Sequence, residues 1–197
     1  MDFQSAVDKV LEFAKKRYRQ DFILNEEQQI IERETLWFIP FMEKKKEERK
    51  LWIGATKGAI IDKETGEILQ PGSVFSIENW ILCFELGFRH KLLDFTITKV
   101  KDKKRTIEIL KKFEIGYVIP KLENGQISKT PLSYNSNQLK DRISNLPCTF
   151  KNQTFNFKHL VIKELKESKA FEYKVNPTDC KYEGIYGELI DENNLIK

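Results

Sequence analysis

The chain predicts an α+β fold in two parts. A helix, an antiparallel sheet and a second helix occupy residues 1–90, and another α+β subdomain with βαββαβ-like order occupies 91–197. Three observations predict this. Apolar residues recur at helical spacing over residues 2–19. The stretch from Lys57 to Glu78, KGAIIDKETGEILQPGSVFSIE, reads as a hairpin that loses strand character at Pro71-Gly72-Ser73 and feeds into a helix. From Leu93 a new period-two alternation begins, past the polar junction Arg89-His90-Lys91.

In the first helix, Phe3, Val7, Val10, Leu11, Ala14 and Tyr18 share one face, while Asp8, Lys9, Glu12, Lys15 and Lys16 take the other. Residues 21–31 form a charged, amide-rich connector with a short strand near Asp21–Leu24. Thr35 to Met42 is a strongly apolar strand, and its Pro40 favours an edge or a bulge because proline cannot donate to a ladder. The strand ends in a charged tip, 43–50, and returns through Leu51, Trp52 and Ile53. Gly58 to Asp62 is the next strand, Lys63 to Gly66 a turn with glycine where φ must be positive, and Glu67 to Leu69 the return. Asp62 is placed to accept N–H bonds across this turn. With Gly66 and Gly72 it forms the structural corner. Ser76 caps a helix that carries Ile77, Trp80, Ile81 and Phe84 inward, with Glu78 complementing its dipole and Gly87 ending it.

The second half continues with a half-buried strand, Leu93 to Val100, and a helix over 103–113 that buries Ile107, Leu110 and Phe113. Ile115 to Ile119 is a strand, and Glu123-Asn124-Gly125 is a hairpin turn into Gln126-Ile127-Ser128. Ser136 caps a helix with Leu139, Ile143 and Leu146 in line, stopped by Pro147. The order so far resembles a ferredoxin-like arrangement. After Phe150–Phe157 come an extra helix near 158–168 and a strand over 170–175.

Hydrophobic content of 40% and charged content of 32% describe a globular chain, and fourteen Phe against two Met predict a rigid aromatic core. No apolar run approaches the roughly 20 residues of a membrane span. The first residues carry no apolar signal region, so a cytoplasmic address is expected. Cys83, Cys148 and Cys180 are odd in number and far apart, which fits a reducing compartment, with Cys83 a buried and inert thiol. The net charge of +4, from 34 basic and 30 acidic residues, is mild. Basic clusters at 44–50 and 99–105 are diluted by Glu43, Glu47, Glu48 and Asp102, and they read as solvated surface.

Catalytic and metal motifs are not found. His90 and His159 have no metal-like partner at helical spacing, and there is no HExxH, CxxC, Walker loop, GxGxxG or GxSxG pattern. The glycines at 54, 58, 66 and 72 are spaced as strand ends and turns. Asp62 reads as a turn-former and not as an acid or base. The expectation is therefore a non-enzyme with no cofactor and no metal. RNA binding is disfavoured because the strand Gly125–Thr130 offers no stacking aromatic.

The leading helix, the aromatic pair Trp37-Phe38, Gly58, Asp62, Gly66, the Gly72-Ser73 corner and the following helix together resemble the YrhB-like immunity protein family, the immunity protein thirty-five group. The resemblance covers the first half of the chain. It implies a cytoplasmic protein that binds and neutralises a polymorphic toxin by protein–protein contact. The alternative is a chaperone-like or adaptor module for another protein client, and a nucleic-acid-binding protein is less favoured. Trp37, Trp52 and Trp80 are expected in the core. The expected partner contacts are Lys45, Lys46 and Arg49 on the charged tip, the loop after Leu69, and Tyr134 in the loop Thr130–Asn137.

Overall fold

The computed structural model describes residues 1–44, 58–73, 75–90, 92–123, 126–155, 158–178 and 187–189. The fold is α+β, and the chain divides into two units, Met1–Glu85 and Leu86–Lys197. The division falls at the end of a helix, a little ahead of the polar junction.

Unit 1 opens with α1 (Phe3–Tyr18), whose N-cap Asp2 accepts from the Ser5 amide at 2.8 Å and whose C-cap Arg19 turns left-handed. Strands β1 (Phe22–Leu24), β2 (Ile31–Glu32), β3 (Leu36–Glu43), β4 (Gly58–Asp62) and β5 (Ile68–Leu69) follow, then α2 (Ile77–Glu85). The sheet is antiparallel, in the order β1-β3-β4-β5, and β2 also pairs with β3. One face of β3 and β4 (Trp37, Ile39, Phe41, Ala59, Ile61) packs with Ala6, Val7, Val10 and Ala14 of α1. The other face (Leu36, Phe38, Ile60) packs with Ile81 and Phe84 of α2. Helices cover both sides, which is why β3 reads as an unbroken apolar run.

Pro40 is therefore in a central strand, contrary to the edge or bulge expected of it. Its carbonyl accepts from the Asn25 amide at 3.1 Å, so its missing N–H points the same way, into the interval between β1 and β2. Proline occupies the one stretch of that side where no strand residue needs its hydrogen.

Unit 2 runs β6 (Leu93–Val100), α3 (Lys103–Lys112), β7 (Gly116–Glu123), β8 (Gln126–Ser133), α4 (Ser136–Arg142), β9 (Cys148–Gln153), α5 (His159–Ser168), β10 (Phe171–Pro177) and β11 (Glu188–Leu189). The βαββαβ order is present, but the strands do not pair as a ferredoxin-like sheet would. β6 lies between β9 and β10, while β7 and β8 form a separate sheet with β11. The strand beyond α5 takes the β6 edge that β8 would have needed. Phe88, Phe95, Phe113, Phe155, Phe171 and Tyr173 interlock around β6, with Phe88–Phe155 ring centroids 4.8 Å apart and Phe113–Phe155 5.0 Å apart.

Four details differ from expectation. The cap of α4 is Asn135, whose side chain accepts from Asn137 and Gln138 while Gln138 answers in a capping box. Leu146 is 39% exposed and not aligned with the core. On α3, Thr106 and Ile109 are buried with Leu110, and Ile107 is half-buried. The hairpin β7–β8 is longer than the sequence pattern implied, pairing from Gly116↔Ser133 to Glu123↔Gln126. Asn124 and Gly125 lie outside the described residues. No helix among the described residues is long and apolar enough to cross a membrane.

Candidate functional site

Asp62 closes β4 at 5% exposure. Its Oδ1 accepts from the amides of Glu64 at 2.9 Å and Thr65 at 2.8 Å. The Gly66 amide donates to the Asp62 carbonyl at 3.0 Å, with Gly66 at φ 72°. A short side chain that satisfies two turn amides at once is a structural device. Gly72 contributes its carbonyl, which accepts from Trp80 Nε1 at 3.0 Å and ties the corner to α2. A Cβ at Gly72 would meet Trp80 at an ordinary 3.6 Å, so the position does not demand glycine. Gly58 does, because a Cβ there would run into the Phe38 ring.

Lys45, Lys46 and Arg49 lie outside the described residues, as do Trp52 and Cys180. Tyr134 corrects the expectation of an exposed contact loop. It is 6% exposed, because β8 extends to Ser133 and turns the tyrosine into the core. Its ring packs against Tyr117 and Phe150 at centroid distances of 4.7 and 5.7 Å. Its hydroxyl donates to Glu188 Oε2 at 3.0 Å. Arg142 Nη2 reaches the same oxygen at 3.0 Å and donates to the Thr149 carbonyl at 2.6 Å. The guanidinium also lies 5.6 and 5.2 Å from the Tyr134 and Phe150 ring centroids, within cation–π range.

Burial and then the Glu188 carboxylate push the Tyr134 phenol up. Burial opposes the Arg142 charge, but Glu188 and Tyr134 outweigh it and its pKa is raised. Cys148 is buried beside them, and burial raises its thiol against the opposing pull of Arg142. Cys83 is buried on α2, as expected, with its thiol pushed up to about 11 by burial. A thiol held protonated is a poor nucleophile.

A cleft of about 320 Å³ opens in unit 2, lined by Phe113, Gly116, Leu132, Gln153, Lys158 and Gly187 among others. Gln153, 3% exposed, forms part of the wall. Its Oε1 accepts from the Gly116 amide at 2.9 Å, and its Nε2 donates to the carbonyls of Gly116 at 2.9 Å and Lys151 at 2.7 Å. The carboxamide thus imitates a backbone unit and joins the end of β9 to the start of β7. Lys158 is ion-paired with Glu114, which also lines the cleft. Leu132 is 41% exposed and Pro131 is exposed beside it.

His90 is exposed and His159 is half-buried at the start of α5. Among the described residues, no group of three His, Cys, Asp or Glu is arranged to hold a metal. Sequence reasoning missed Gly116, Arg142, Gln153 and Glu188. The Gly116–Gln153 and Tyr134–Glu188 pairings span 37 and 54 residues, and none of the four sits in a local pattern that announces it. No family model, no curated protein and no solved structure matches the chain.

Proposed function

We propose that this chain is an immunity protein of the YrhB-like kind, which binds and neutralises a toxin in the cytoplasm by protein contact and without bond-making. The resemblance over residues 1–90 supports this reading. The observation that carries it is the condition of the cleft in unit 2. The carboxamide of Gln153 is committed to the chain's own backbone, and Lys158 and Glu114 are paired with each other. What the cleft offers a visitor is shape, the apolar surface of Leu132, 41% exposed, and its neighbour Pro131, and a polar margin at Ser133 and Thr154. Such a surface recognises by complementarity and apolar burial. With a net charge of +4, the chain is matched to a toxin whose contacting surface is not basic.

The test is co-expression with the toxin encoded beside its gene, where cells survive only when the chain is present. Leu132→Asp is expected to weaken toxin binding by about tenfold or more, as truncating an anchor does, with the melting temperature nearly unchanged. Cells that die equally with and without the chain overturn the proposal.

A further inference from the structure

β10 is the outer strand of the sheet β10-β6-β9, and among the described residues it pairs with no strand but β6. The amides of Lys101 and Asp102 donate to the Ala170 carbonyl at 2.8 and 3.0 Å, and the Thr178 amide donates to the Leu92 carbonyl at 3.5 Å. Both flanks of the strand therefore turn an even-numbered residue toward β6. The one irregularity in the pairing skips Thr98 on β6, between Lys99 and Ile97, so the alternation along β10 is intact. Phe171, Tyr173, Val175 and Pro177 thus turn their main-chain groups away from β6. Pro177 is the last residue of the strand, where it takes no donor from the middle of that edge.

Side chains alternate as well. Phe171 and Tyr173 join the aromatic cluster at Phe95, while Glu172, Lys174 and Asn176 are exposed on the other face. A lysine on an edge strand ordinarily discourages pairing. Here a glutamate two residues away is placed to answer it.

We propose that β10 is a self-complementary edge, on which a second copy of this chain adds its own β10 antiparallel about a twofold axis at Tyr173. In that register Tyr173 faces its twin, and Phe171 faces Val175 of the second copy. Glu172 faces Lys174 of the second copy, and the reverse holds on the other side of the axis. These charges fall in non-hydrogen-bonded pairs, where side chains approach closest and opposite signs stabilise. Moving the axis to Glu172 or to Lys174 sets like charges directly opposite, which destabilises. The charges therefore select one register. So short an edge makes a weak, reversible dimer. The inference does not depend on the proposed function, since it concerns contact between copies of this chain.

Sedimentation equilibrium of the full chain, from about 10 μM to about 1 mM, tests it. The chain is expected to pass from monomer toward dimer across that range. Lys174→Glu puts like charges opposite at both sites and should weaken the dimer by about tenfold or more. Glu172→Lys should do the same. The double variant E172K/K174E restores opposite signs within one chain and should restore the dimer. An equimolar mixture of the two single variants should associate more tightly than either variant alone. Lys163→Glu makes the same charge change at an exposed position of α5 and should leave the dimer unchanged. The substituted side chains are exposed, so melting temperatures should stay near that of the parent chain. The proposal is overturned if the chain is monomeric throughout, or if Lys174→Glu does no more than Lys163→Glu. It is equally overturned if the double variant stays as weak as the single ones, or if the mixture gains nothing.

Discussion

Asp62 shows how one residue can shape a turn. A buried carboxylate must be answered by donors, and here two amides of the following turn answer it within 2.9 Å. Asp62→Ala leaves both without their partner and should lower the unfolding free energy by about 1–3 kcal/mol, measured by urea denaturation. Asp62→Asn keeps an acceptor oxygen and should lose less. Cys83 provides a pH signature. Burial raises its thiol from 9.0 to about 11, so its contribution to stability is complete below pH 9.0 and is lost as the pH climbs through 11. Denaturation curves across this window should show a falling stability that Cys83→Ala flattens. The turn role of Asp62 was legible because its donors are two and three residues away. The roles of Gln153 and Glu188 were not, because their partners are 37 and 54 residues away.

At the level of elements, Pro131 of the β7–β8 hairpin has positional meaning. The Tyr134 amide donates to the Ile115 carbonyl at 3.0 Å. Alternation along the register then points the backbone N–H positions of Leu132 and Thr130 toward β7 and the nitrogen of Pro131 outward. β8 pairs with no other strand among the described residues, so Pro131 removes a donor from an open edge. Pro131→Thr restores that donor and should produce concentration-dependent self-association, measured by sedimentation velocity. An unchanged monomer–oligomer balance would refute this account of the proline. Helix limits were legible to within a residue or two because apolar spacing and caps are local, except at the end of α4, which stops at Arg142 and not at Pro147. The cap of α4 was misplaced by one residue although Gln138, three residues after Asn135, is the local mark of a capping box. Pro40 was misassigned for a different reason, since its tolerance depends on where β1 stops and β2 starts.

For the whole molecule, each unit has its own core. Unit 1 encloses its sheet between α1 and α2, and unit 2 gathers its aromatics around β6. A fragment of residues 1–85 is large enough to bury a stabilising interior. Expressed alone, it should show a cooperative urea transition and keep the far-ultraviolet dichroism of a mixed α+β fold. A fragment that unfolds without a transition would mean that its core is incomplete. The two units, Met1–Glu85 and Leu86–Lys197, part at the end of α2.

The sequence by itself determined the α+β class, nearly every helix and strand, the Asp62 turn and the buried state of Cys83. All of these follow from spacing within a few residues, where backbone geometry leaves little choice. Only the tertiary structure decided that the second half is not a ferredoxin-like sheet, because strands compete for one edge of β6 and the winner comes from beyond α5. It also decided that Tyr134 is interior, and that Gln153, Arg142 and Glu188 join residues far apart in sequence. These depend on which distant residues desolvate one another, and that is a property of packing, not of local pattern.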